Sequence, residues 1–123
     1  MVKLNTPIPV RQQACIQMIS PETISAVRIS KQISLLISKT KPRYLVMTYE
    51  GHAWERLVLR EARLVNPDII CVGYQHAPMI KYQHAMKRNL ARSYIPDIIL
   101  TSGKISEKQF NVAERSDIIF KCL

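Results

Sequence analysis

Three short stretches hold most of the side chains in this sequence that are suited to catalysis or ligand binding. They are Thr48-Tyr49-Glu50-Gly51-His52, Gly73-Tyr74-Gln75-His76 and Thr101-Ser102-Gly103-Lys104. Between them they offer a carboxylate, two imidazoles, two phenols, an amide and hydroxyls, together with Gly51, Gly73 and Gly103, the only glycines in the chain. Glycine is the residue for positive φ and for close approach of backbone to a ligand. Glu50 is a candidate general base, a hydroxyl-binding carboxylate, or a charge stabilised at a helix N-terminus. His76 is a candidate acid/base or a donor to a phosphate or sugar oxygen, since histidine is the side chain best suited to moving protons near neutrality. These two are the catalytic candidates; Tyr49, Gly51, His52, Gly73, Tyr74, Gln75, Ser102 and Gly103 are the binding candidates. Glu50, His52 and His76 are ligand types that suit zinc, but there is no HExxH and no close Cys/His spacing, so no metal is expected. The absence of GxGxxG and GxxxxGK[ST] removes the dinucleotide and P-loop signatures, and the absence of GxSxG removes the hydrolase nucleophile elbow.

Each stretch follows a short apolar run introduced by a turn residue: Pro42 to Met47, Pro67 to Val72 and Pro96 to Leu100. A fourth run, Ser116 to Phe120, begins without proline. Such β-branched, nearly continuous runs predict strands buried on both faces, as in parallel sheets. Their starts are 25, 29 and 20 residues apart, which leaves room for a crossover helix each time. Helices are predicted from Ser20 to about Ser38, His52 to Val65, Met79 to Arg92 and Ile105 to Arg115, with a further short one over Val10 to Ile19. Ser20-Pro21-Glu22 supplies an N-cap, a proline at the first helical position and an early acid.

The expected fold is α/β, a Rossmann-like three-layer domain with a mostly parallel sheet of about four strands. Residues 1–19 read as an amino-terminal extension and 20–123 as one domain. Ligands of parallel α/β sheets bind at the carboxyl ends of the strands, and the three stretches would share that edge. The chain stops just after its fourth apolar run, where a doubly wound domain ordinarily continues into a covering helix. The sequence therefore reads as a segment of a longer polypeptide.

Composition narrows the partners. The chain has 123 residues, 47% of them hydrophobic, and a formal net charge of +9. That suits one globular domain with anionic partners. No apolar stretch approaches a membrane span, and no secretory signal is evident. Cys15, Cys71 and Cys122 form no CxxC pair and fit a reducing compartment. Nucleic-acid binding would rest on charge alone and is not expected, because stacking aromatics on an open sheet are the usual requirement.

The order of three motifs adds to this. Tyr49-Glu50-Gly51-His52-Ala53-Trp54-Glu55, then Gly73-Tyr74-Gln75-His76-Ala77-Pro78, then Pro96-Asp97-Ile98-Ile99-Leu100-Thr101-Ser102-Gly103 resembles the amino-terminal half of bacterial surface-carbohydrate biosynthesis proteins. These are glycosyltransferase-like proteins of O-antigen, capsule or lipopolysaccharide assembly. The resemblance covers about residues 42–110. It implies half of a two-domain GT-B-like protein, a sugar nucleotide as donor, and a carbohydrate or lipid-linked acceptor. It also implies a cytoplasmic location with peripheral contact at the inner face of the membrane. The donor is held mainly by the carboxy-terminal domain of such proteins, so this segment alone would bind no cofactor and would be inactive without that domain, in cis or in trans. Glu50, Gln75 and His76 would face the interdomain cleft, and Trp54 and Glu55 would anchor the helix behind them. The competing reading is a non-catalytic basic α/β module that binds phosphorylated ligands, acidic lipid or nucleic acid.

Overall fold

A computed structural model describes residues 7–77, 85, 88, 90–111 and 118–122. The elements run α1 (Ile8–Met18), α2 (Pro21–Thr40), β1 (Tyr44–Thr48), α3 (Ala53–Val65), β2 (Ile70–Gln75), a 3₁₀ turn (Arg92–Tyr94), β3 (Ile98–Thr101), α4 (Lys104–Asn111) and β4 (Ile119–Cys122). All four strands are parallel and their order is β1-β2-β3-β4. The expected Rossmann-like α/β architecture is the one observed. The predicted helix over Met79 to Arg92 falls mostly outside the described residues. At its end, Arg88, Leu90 and Ala91 are not helical, and Arg92–Tyr94 turns as 3₁₀.

Local chemistry explains the helix ends. Ser20 accepts the Thr23 N–H at 3.3 Å and Pro21 opens α2. At the other end Lys41 turns left-handed (φ 44°) and its N–H reaches the Ile37 carbonyl at 2.8 Å. Ala26, Ser30, Ile33 and Ile37 form the inward stripe of α2, which packs on the Val58, Leu59 and Ala62 face of α3.

In register, Leu45 lies beside Cys71, and Met47, Gly73 and Ile99 lie side by side on one face of the sheet. The core under α2 and α3 forms on that face, around Ile37, Tyr49, Leu59, Cys71 and Ile99. The central strand β2 is nearly buried throughout, as its apolar run predicted. The edge strands are not: Tyr44, Val46 and Ile119, on the opposite face, are each about half exposed or more.

At the amino ends of the strands a charged junction ties four segments together. Asp97 Oδ2 accepts the Cys71 N–H at 2.8 Å and Arg63 Nη2 at 2.9 Å, while Arg92 Nη2 lies 3.3 Å from Oδ1. Arg63 also donates to the carbonyls of Arg92 (3.0 Å) and Ser93 (3.2 Å). Burial disfavours the Asp97 charge, yet the Cys71 N–H and the two guanidiniums outweigh it and hold the carboxyl below its usual range. Burial pushes the neighbouring Cys71 thiol up to about 11, with Asp97 adding to the rise and Arg63 opposing it. Cys71 is therefore an inert packing residue.

Candidate functional site

The strands run further than their apolar residues. Thr48, Gly73, Tyr74, Gln75 and Thr101 belong to β1, β2 and β3, and only the residues beyond them form loops. Gly73 is glycine for packing. A Cβ there would stand 2.7 Å from Tyr49 Cβ and 2.9 Å from Pro96 Cγ. Tyr49 is buried beneath it, and its N–H extends the β1–β2 pairing to the Tyr74 carbonyl at 2.9 Å. Gln75 is buried as well. Its amide nitrogen donates to the Ala77 carbonyl, and Oε1 has no partner among the described residues. Tyr49, Gly73 and Gln75 thus form the floor of the site and not its surface.

Two carboxylates organise the loop after β1. Gly51 carries φ 80°, the left-handed turn that glycine allows. It brings the chain back over the start of α3, where Glu55 is fully buried. The Glu55 carboxylate accepts the N–H of Glu50 at 3.0 Å and of His52 at 2.7 Å, the reciprocal half of a capping box. Burial raises its pKa, and those same N–H groups pull it back. Glu55 therefore fills the positive end of α3, which cannot also serve an anionic ligand. Removing it as Glu55→Ala should cost about 2 kcal/mol and free the Glu50 and His52 amides. Hydrogen exchange checks this; unchanged protection of both amides would contradict it.

Glu50 then reaches across to the β2 loop. Its Oε1 accepts the N–H of His76 (3.2 Å) and of Ala77 (3.1 Å) and lies 3.2 Å from His76 Nδ1. The Glu50 side chain is 11% exposed and that of His76 55%. Glu50 Oε2 is buried without a partner among the described residues. The imidazole also lies against Tyr74, with ring centroids 6.2 Å apart and planes at 29°. The structure therefore joins Glu50, Tyr74 and His76 into one group at the carboxyl edge. A carboxylate that holds one ring nitrogen and leaves the imidazole in solvent is an arrangement that can orient a base.

The remaining candidates stand apart from that group. Ser102 is exposed one step past Thr101, which pairs with Gln75, so register carries it towards the level of His76. Gly103 accepts Thr101 Oγ1 at 3.3 Å and the Glu107 N–H at 3.1 Å, and a Cβ at Gly103 would meet nothing. His52 is exposed and lines a groove of about 660 Å³ with Trp54, Gln13 and Gln17. The strand order contains no reversal, so no switch-point crevice forms among the described strands. The loops lie side by side as an open ledge. Among the described residues no three His, Cys, Asp or Glu side chains converge as a metal site requires. No helix of the described residues is long and apolar enough to cross a membrane.

Glu55 anchors the start of α3, the place that the motif order implied for it, while Asp97 is the organising residue that motif reading missed. The signal for Glu55 was present, three residues after the helix N-cap. Asp97 gave none beyond its place after Pro96. The chain matches no protein-family model, and no curated protein and no solved structure is significantly similar to it.

Proposed function

We propose that this chain is a glycosyltransferase-like domain of bacterial surface-polysaccharide synthesis, contributing one wall of a cleft completed by a sugar-nucleotide-binding domain. The observation that supports it best is the Glu50–His76 pair, 3.2 Å between Oε1 and Nδ1, at the carboxyl edge of the parallel sheet. In this reading His76 is the base. It takes the proton of an acceptor hydroxyl as that oxygen bonds to the anomeric carbon, and the sugar–phosphate bond breaks with its electrons leaving on the phosphate. Glu50 is a positioning residue: it holds the imidazole and both loop amides, and it offsets the charge that His76 gains. Tyr74 supports the ring from the side. The motif order of residues 42–110 supplies the substrate class, and the exposed ledge supplies room for an acceptor.

In source cells, His76→Ala should lower surface-polysaccharide synthesis by about 100-fold or more while the protein stays folded and abundant. Normal polysaccharide both in this variant and after deletion of the gene would refute the assignment.

A further inference from the structure

The outer edge of β1 is open. The Ile70 N–H reaches the Arg43 carbonyl at 3.0 Å, and the Tyr49 N–H reaches the Tyr74 carbonyl at 2.9 Å. In a parallel ladder the residues that bond one neighbour alternate with those that face away from it. Arg43, Leu45, Met47 and Tyr49 therefore serve β2, and the N–H and C=O groups of Tyr44, Val46 and Thr48 point outward. No described strand pairs with that edge. Packing does not shield it either, since all three residues are exposed, Tyr44 to 50% and Val46 to 64%. Edge strands are ordinarily blunted by a charge, a proline or a bulge. The far edge strand, β4, carries the exposed Lys121. β1 has none of these devices: Tyr44-Leu45-Val46-Met47-Thr48 contains no charge and no proline, and its register with β2 is unbroken.

Outward donors and acceptors in a row are matched by another strand. Charge indicates which strand and in what direction. The chain leading into β1 holds Lys39, Lys41 and Arg43, all exposed. From Tyr44 to Glu55 there is no lysine or arginine, and the charged residues are Glu50 and Glu55. β1 is thus basic at its start and acidic past its end. A second copy laid parallel would set the basic ends side by side. A second copy laid antiparallel sets the basic end of each β1 against the acidic end of the other. Centred on Val46, this register uses every outward group. Val46 faces its own counterpart, Tyr44 faces Thr48, and each such pair exchanges two hydrogen bonds. The arrangement is isologous, so it closes at two copies.

We infer that the outer edge of β1 is the docking site for β1 of a second copy, joining two four-stranded sheets into one across a twofold axis at Val46. The inference rests on the strand edge and does not need the glycosyltransferase reading. It has a consequence for the ledge at the carboxyl edge. In the register centred on Val46, Arg43 of one copy lies beside Tyr49 of the other and Lys41 lies beside Gly51, so basic residues of each copy flank Glu50 of the other.

Sedimentation velocity of the chain at rising concentration tests this. Expected is a reversible dimer. Val46→Pro removes the outward N–H at the centre of the register and leaves the bonds to β2 in place, so it should weaken the dimer about tenfold or more. Val46→Lys brings two ammonium groups together at the twofold axis and should do the same. Ile119→Lys, on the same face of the sheet but at its far edge, should leave the dimer unchanged. Circular dichroism verifies the fold of each variant, and Val46→Lys keeps the test decisive if the proline disturbs β1. A chain that stays monomeric at every concentration overturns the inference. So does a dimer that both Val46 variants leave intact, or one that Ile119→Lys weakens equally, which would place the contact on the open face of the sheet.

Discussion

Asp97→Ala is expected to lower the stability of the domain by about 3 kcal/mol, seen as a fall in the denaturant midpoint. The carboxylate accepts from the Cys71 backbone and from Arg63 and Arg92. Its loss leaves Arg63, 14% exposed, without its counter-charge and the Cys71 N–H without its acceptor. The contribution also carries a pH signature. Asp97 is held below the ordinary aspartate range, so the folded state binds its proton less readily than the unfolded chain does. Its stabilisation is complete above the unfolded value and is lost as pH falls through the depressed folded value. The stability gap between wild type and Asp97→Asn should therefore be widest near neutrality and narrow in acid. A gap that is constant with pH would show that the charge plays no part.

The second large effect is steric. Gly73→Ala places a methyl within 2.7 Å of Tyr49 Cβ and 2.9 Å of Pro96 Cγ. Neither neighbour can swing aside, because one contact is at the root of a buried side chain and the other is on a proline ring. The cost should be about 3 kcal/mol, while Gly103→Ala, which meets open space, stays within about 0.5 kcal/mol. Thermal unfolding of the two variants checks this. Equal melting temperatures would mean that Gly73 is not needed for packing, and its place in the Gly-Tyr-Gln-His stretch would have to be explained through a ligand.

This bears on how much the residues alone revealed. Proline- and aspartate-led apolar runs located all four strands, because turn chemistry and β-branching are local. They placed the strand ends too early. Gly73, Tyr74 and Gln75 look like loop by type, yet tertiary packing keeps them in β2, with Gln75 tied back to Ala77. The pairing of Glu50 with His76 was legible only as proximity along one edge. The hydrogen bonds depend on the reach of one side chain across two loops, which no spacing rule encodes. The carboxyl-edge argument needed only parallel strands to bring the three loops to one edge; the order β1-β2-β3-β4, which has no reversal among the described strands, makes that edge an open ledge. Runs that predicted burial on both faces describe β2 well. They fail for β1, where the same residue types lie at an edge and expose Tyr44 and Val46.

The strand order has a kinetic consequence. Among the described strands each one after β1 pairs with the strand before it in the sequence, so none of these pairings waits for a distant segment. The loop entropy closed at each step is that of one crossover, and the relative contact order is low for a parallel sheet. A chain of this kind can add strand upon strand as it leaves the ribosome. β1, α3 and β2 can associate before β4 has been synthesised, and each new strand is added to the edge formed by the strand before it.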